Sequence, residues 1–354
     1  MKYVLRSFSK IRLAFVVLAS SVMIAACGGG GGGGNSSPST NNSNPNSSNS
    51  TPATLMQPAA TPQTVMASGD PTADGIAFMN AVRQNVGYTT QLTTDATLAS
   101  ASKNHTVYLV DNQATGHNET AGLPGYTGQT PFTRAPSASG EVVVSGDPLA
   151  FPTTLSPVET IFNAPYHRLL MLDNFASMGV ASTTGTSTGG TPWEAFNIDF
   201  GGGITPANAS QLVVYPYPGQ TNVPTQWFAA EEPDPFASQT KYDNTFVGYP
   251  VTVQGILSAK LSSLNIVLTD SGGNNVLCQQ QTPDNDNNLT NGAMCIPFSP
   301  LKPNATYTVH LTGVLASDLA QASPINLTWT YTTGHVTLSN EMGVVPQPRK
   351  LPQF

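Results

Sequence analysis

The chain has 354 residues, room for two domains at about 150 residues each. Only 9% of them are Asp, Glu, Lys or Arg, against a usual ~25%, which excludes a coiled coil or a charge-laced helical bundle; 32 Gly and 29 Pro favour turns over long helices. A formal charge of −7 with 13 basic side chains excludes a protein that tracks nucleic-acid phosphates.

Lys2, Arg6, Lys10 and Arg12 form a positive segment, followed by an apolar run over 13–24 and the small residues Ala25 and Ala26 before Cys27. This is the layout of an export signal over 1–26. The apolar run is too short to cross ~30 Å of hydrocarbon as a helix. Ile24-Ala25-Ala26-Cys27 resembles a bacterial lipobox, which implies that Cys27 becomes the lipidated first residue of the mature protein. An ordinary signal with an incidental cysteine is the alternative. Gly28 after that cysteine resembles the outer-membrane sorting pattern of such lipoproteins. Cleavage removes four of the 13 basic side chains and none of the 20 acidic ones, so attachment to a membrane would rest on acyl chains rather than on attraction to anionic lipid.

A tether is expected over 27–70. Gly28 to Gly34 are seven consecutive glycines, Asn35 to Thr54 is almost wholly Asn, Ser, Thr and Pro, and no charged residue occurs between Arg12 and Asp70. Such a segment has little to bury against its ordering entropy. About 40 flexible residues reach roughly 35 Å r.m.s..

The first folded domain is expected over 71–215. Ala77, Met79, Val82 and Val86 recur at helical spacing and Gly87 ends the run. Asp95 precedes a second amphipathic run of Leu98, Ala101, His105, Tyr108 and Leu109. A Gly/Pro-rich loop covers 114–140, and Val142 to Val144 read as a buried strand. Ser156-Pro157 with Glu159 opens a third helix, carrying Ile161, Phe162, Leu169 and Leu170 if it tolerates Pro165. Met178 to Ser182 and Trp193 to Phe200 read as strands, the second alternating Trp193, Ala195, Asn197, Asp199 against Glu194, Phe196, Ile198, Phe200. Helices interspersed with a few strands give a layered α/β domain.

Several of these pieces resemble the CAP superfamily (cysteine-rich secretory proteins, antigen 5, pathogenesis-related 1). They are Asn80-x-x-Arg83 with Gly87; the run from Leu92 and Asp95 to His105; Gly116-His117 with Pro131, Phe132 and Arg134; Gly140-Glu141; and Phe162-Asn163-Ala164-Pro165-Tyr166-His167-Arg168 with Met171 and Leu172. Met178 to Ala181 and Trp193 to Gly201 resemble the closing strands. The resemblance covers about 120–130 residues. It implies an α/β/α sandwich and places His117, Glu141 and His167 in a central cavity.

Two imidazoles and a carboxylate suit a divalent metal such as zinc with an open coordination position, and equally general acid–base work; a buried hydrogen-bond network that fixes the fold is the third reading of the same residues. The family's eukaryotic members usually add a second Glu, where this chain has Ala164, and often an Asn after Gly-Glu, where it has Val142; Glu119 or Glu159 could supply the missing carboxylate. His105 and Arg134 are further binding candidates, with core packing and local ion pairing as their plain alternatives, and Arg168 shares the latter. No G-x-S-x-G elbow and no HExxH occurs.

The second domain is expected over 216–336. Strands are read at 250–256, 264–269, 275–279, 306–312 and 326–332, with turns at Asp270 to Gly273 and Lys302 to Asn304. Spaced strands with such turns give an antiparallel sandwich, and Tyr217 to Pro224 together with Trp329 to Gly334 resemble bacterial immunoglobulin-like surface modules. Cys278 and Cys295 form an even pair for an oxidising compartment, read as a disulfide worth about 3 kcal/mol in the chain-entropy model; two free thiols or half a metal site are the alternatives. Trp227, Tyr249 and Trp329 are core residues or sugar-binding aromatics. Residues 337–354 read as a tail.

The expected architecture is therefore a CAP-like α/β/α sandwich followed by an antiparallel Ig-like β-sandwich, lipid-anchored in a cell envelope and read as a bacterial outer membrane. The expected role is binding or surface interaction, through a divalent-metal or small-ligand cavity, with lipid, glycan and protein left open as ligands and nucleic acid excluded. A hydrolase using His117, Glu141 and His167, and a purely structural envelope protein, are the rival readings. Cys27→Ser is expected to block acylation and release the protein from membranes; fractionation that finds the variant still wholly membrane-bound contradicts the lipobox.

Overall fold

The computed structural model describes residues 51–204, 208–256, 258–318 and 320–335. The export signal, Cys27, the tether as far as residue 50, and the 337–354 tail lie outside the described residues.

In chain order the strands and helices are β1 (Thr54–Leu55), α1 (Pro71–Asn85), β2 (Thr93–Thr94), α2 (Ala96–Asn112), α3 (Pro131–Arg134), β3 (Ala138–Gly146), α4 (Ser156–Asn163), α5 (Pro165–Met171), β4 (Ser177–Thr186), β5 (Pro192–Gly201), β6 (Gln211–Tyr215), β7 (Gln226–Phe228), β8 (Phe246–Gly248), β9 (Val251–Gln254), β10 (Ala259–Thr269), β11 (Asn275–Val276), β12 (Cys278–Gln281), β13 (Gly292–Pro297), β14 (Thr306–Ser317) and β15 (Ala320–Thr332). The fold is thus mixed, helices with several sheets, antiparallel ones among them.

Both long helices start where their caps dictate. The Asp70 carboxylate accepts from Thr72 and Ala73 N–H, and Asp95 from Thr97 and Leu98 N–H. α1 stops before Gly87, which holds φ at +111° with Gln57 O against the place a Cβ would occupy. The third helix expected from the sequence is two: Pro165 lacks the N–H to continue the turn, Ala164 before it is extended, and α4 gives way to α5.

The first sheet has the order β2-β4-β5-β3. Its two faces follow the alternation along β5. Phe196, Ile198 and Phe200, with Val142, Val144, Met178 and Val180, pack against Met79 and Val82 of α1 and Val158, Ile161 and Phe162 of α4. Val143, Trp193 and Ala195 pack on the other side against Tyr108, Leu109 and Val110 of α2. Glu141, Asn197 and Asp199 share that second face by register, since Glu141 pairs with Asp199 and Val143 with Asn197. Gly179 lets α2 close on the sheet: a Cβ there would sit 2.0 Å from Ala99 N.

A five-stranded sheet runs β1-β6-β9-β13-β12 and a four-stranded antiparallel sheet runs β11-β10-β14-β15, with β7-β8 a separate pair. The domain boundary expected at 215/216 falls inside the first of these. β6, read as the end of the first domain, hydrogen-bonds to β9 on one side and to β1 on the other. The segment 51–70, read as tether, carries β1, packs Met56 and Val65 on the core, and exchanges two hydrogen bonds between Gln63 and Asn85. Its lack of charge hid a few apolar residues that find partners. Trp227, Tyr249 and Trp329 are buried, with the Trp329 indole donating to Pro216 O, so none of these rings is presented to a glycan.

Cys278 and Cys295 are disulfide-bonded across the β12–β13 edge, with Cα atoms 5.4 Å apart, a bond compatible with an exported protein. Cys278→Ser is expected to lower stability by about 2–4 kcal/mol in denaturant titration; alkylation that finds two free thiols in the exported native protein contradicts the bridge.

Candidate functional site

Five separate segments come together around His117 and His167. The loop after α2 carries His117 and Glu119. Arg134 is the last residue of α3, Glu141 lies near the start of β3, His167 is in the first turn of α5, and Glu231 follows β7.

Arg134 ties the first three segments together. Its Nη2 donates to Glu141 Oε2 at 2.6 Å, its Nη1 donates to the carbonyls of His117 and Gly128, and its Nε lies 3.6 Å from Glu119 Oε1. Glu119 also accepts from Thr127 and Gly128 N–H and from His105 Nδ1 at 3.0 Å. His105 Nε2 in turn meets Gly116 O at 3.0 Å. Both ring nitrogens of His105 face groups that only accept, so both donate, and the side chain is 0% exposed. His105 therefore braces the 116–119 segment and offers no atom to a ligand. Arg134 is likewise consumed by its own partners, as buried guanidinium groups commonly are. The binding role expected of these two residues gives way to a supporting one.

Glu141 is fully buried and takes His117 Nδ1 on Oε1 at 2.8 Å. Burial pushes its carboxyl up, but the His117 hydrogen bond and the charges of His105, Arg134 and His117 outweigh that and hold it at about 2. An ionised carboxylate only accepts, so His117 donates to it from Nδ1. Beneath it, burial first and then the charge of Glu141 push Asp199 well above the usual carboxylate range. Asp199 accepts from Ser102 Oγ at 2.7 Å and from Asn197 Nδ2 at 3.1 Å.

His167 does not meet Glu141 as its partner. Its Nδ1 lies 2.7 Å from Glu231 Oε1, and its backbone N–H donates to the same oxygen at 2.9 Å. Ala164, at the N-cap of α5, has no side-chain acceptor for that first turn; Glu231 supplies it from 64 residues away. The His117 and His167 rings lie nearly parallel, 14° apart, with centroids separated by 6.5 Å. The three residues expected to converge do so, as two imidazole–carboxylate pairs side by side. Glu231 is the residue that sequence reasoning missed. Of the two acids considered for the role, Glu119 serves His105, while Glu159 is half-buried on α4, where burial raises its pKa.

Among the described residues, no group of three or more His, Cys, Asp and Glu side chains is arranged to hold a metal ion. Two imidazoles on one tetrahedral zinc, through bonds of ~2.0–2.1 Å, put their ring centroids roughly 5 Å apart, against 6.5 Å between His117 and His167. A carboxylate on each Nδ1 is the outer-shell contact that orients metal-binding histidines.

No family model matches the chain, and no curated protein is significantly similar to it. No described helix is long and apolar enough to cross a membrane.

Proposed function

We propose that this chain is a lipid-anchored cell-envelope protein in which a CAP-like domain is joined to an Ig-like module, and that its role is to bind rather than to catalyse. The export and lipobox signature supports the address, and the disulfide is compatible with it. The ordered motifs from Asn80 to Gly201, with helices on both faces of the first sheet, support the CAP-like reading. The antiparallel sheets that follow support the Ig-like one.

The ligand is a divalent cation held between His117 and His167, with the remaining coordination positions open to water or to donor atoms of a second molecule. One observation carries this: two near-parallel imidazoles with centroids 6.5 Å apart, each held at Nδ1 by a buried carboxylate. Only two protein nitrogens are offered, so affinity is modest. Acid weakens it, because protons compete for the same nitrogens.

Calorimetry of the mature protein with zinc is expected to give one weak site, lost on acidification. The double variant His117→Ala, His167→Ala is expected to lose it with an unchanged far-ultraviolet spectrum. Equal zinc affinity for variant and parent contradicts the site and leaves the buried network a structural device.

A further inference from the structure

We propose that the contact of Asp173 with Asn291 is a pH-sensitive latch: with Asp173 protonated it holds the end of α5 against the loop that enters β13, and ionisation loosens that hold. The latch stands whether or not a cation binds between His117 and His167.

Asp173 follows the end of α5, in a seam with partners on both sides. On one side Arg83 of α1 donates to the carbonyls of Met171, Asp173 and Phe175, and the Tyr88 hydroxyl donates to Leu172 O at 2.7 Å. On the other, Asn291 Nδ2 donates to Asp173 Oδ2 at 3.0 Å and faces Gly255 O and Ile256 O at 3.3 Å. Gly255 N–H returns a bond to Asn291 O at 2.8 Å. Gly292, the first residue of β13, packs directly on α5, since a Cβ there would sit 3.0 Å from Leu169 Cδ1. Asn291 thus brings the corner between β9 and β13 to the helix, and the carboxyl of Asp173 is the group it grips.

That carboxyl is buried and makes no ion pair among the described residues. Arg83 is close, but its two Nη atoms are committed to backbone carbonyls. The donors that reach the carboxyl are Asn291 Nδ2 and Asn174 N–H, the latter at 2.8 Å from Oδ1. From the α1 side the titratable groups facing it are Arg83 and Tyr88; from the β9 and β13 side Asn291, Gly255 and Ile256 are neutral. Burial pushes Asp173 up to about 7, against the opposing pull of the bonds from Asn174 and Asn291 and of the Arg83 charge. Opened to water, the same group titrates near ~3.9. Between these values the closed seam holds a proton that the open seam releases. Closure is therefore favoured most below about pH 4, and that advantage is lost as the pH rises through about 7.

Hydrogen exchange of the mature protein between pH 5 and 8 tests this, read as protection factors so that the intrinsic pH dependence of exchange cancels. The reporter is the amide of Gly255, whose partner is Asn291 O. Its protection is expected to fall with rising pH by up to about a hundredfold and to level off above about 7. Asp173→Asn, which cannot ionise, is expected to lose that dependence. Glu194→Gln removes another carboxyl that burial raises to about 7, on β5 of the first sheet, and should keep it. Gly255 protection that is constant with pH, or that varies as much in Asp173→Asn as in the parent, overturns the latch, and so does loss of the dependence in Glu194→Gln. If Asp173→Asn does not fold, NMR titration of the Asp173 carboxyl carbon in the parent decides: a midpoint that coincides with the change at Gly255 supports the latch, and one that does not overturns it.

Discussion

The Arg168 guanidinium is wholly buried, and much of the molecule is arranged around it. Pro165 breaks the helix and leaves the last carbonyls of α4 without N–H partners. Arg168 answers them from the next helix, Nε donating to Phe162 O at 2.9 Å and Nη2 to Asn163 O at 3.1 Å, while Nη1 reaches across to Pro250 O at 2.8 Å, just before β9. Its face lies 4.7–5.3 Å from the ring centroids of Phe162, Tyr215 and Tyr249. One side chain thus joins α4, α5, β6 and the entry to β9. Arg83 does similar work at the other end of α5, donating to the carbonyls of Met171, Asp173 and Phe175 and covering Tyr88. His167 is the neighbour of Arg168, so the aim of its ring is set by the same clamp.

A chain with so few charges buries several of them at one place. Glu119, Arg134, Glu141 and His105 form a closed network in which nearly every donor meets an acceptor, and such networks rigidify because breaking one member leaves another buried and unpaired. Burial and then the charge of Glu141 push Asp199 well above the usual carboxylate range, which disfavours a second negative charge there. An exception is Glu231, whose Oε2 is buried with no hydrogen-bond partner among the described residues.

Much of the first sheet was legible because its signals are local. Asp70 and Asp95 mark helix starts, Gly87 marks an end, and the alternation along β5 separates Phe196, Ile198 and Phe200 from Asn197 and Asp199. His117, Glu141 and His167 could be placed near one another through the resemblance of their flanking motifs. Glu231 could not. It sits in a segment without periodicity, and only the packing of Phe236 and the bonds from β12 bring it to α5. β6 and β13 were missed as strands for a related reason: Gln211–Tyr215 is short and Gly292–Pro297 is buried throughout, so neither shows a period-two pattern. Residues 51–70 misled by composition, since Ala53, Met56 and Val65 need only a few partners to be ordered.

If the Arg168 clamp makes the helical layer and the C-terminal sheets one cooperative body that shapes the cleft, calorimetric unfolding of the mature parent and of Arg168→Lys tests it most directly. The parent should unfold in a single transition. Lysine keeps the charge but cannot span three carbonyls, so the variant should lose about 2–4 kcal/mol and its zinc affinity should fall with it. Two independent transitions in the parent, or a variant that keeps both stability and zinc affinity, would contradict the account.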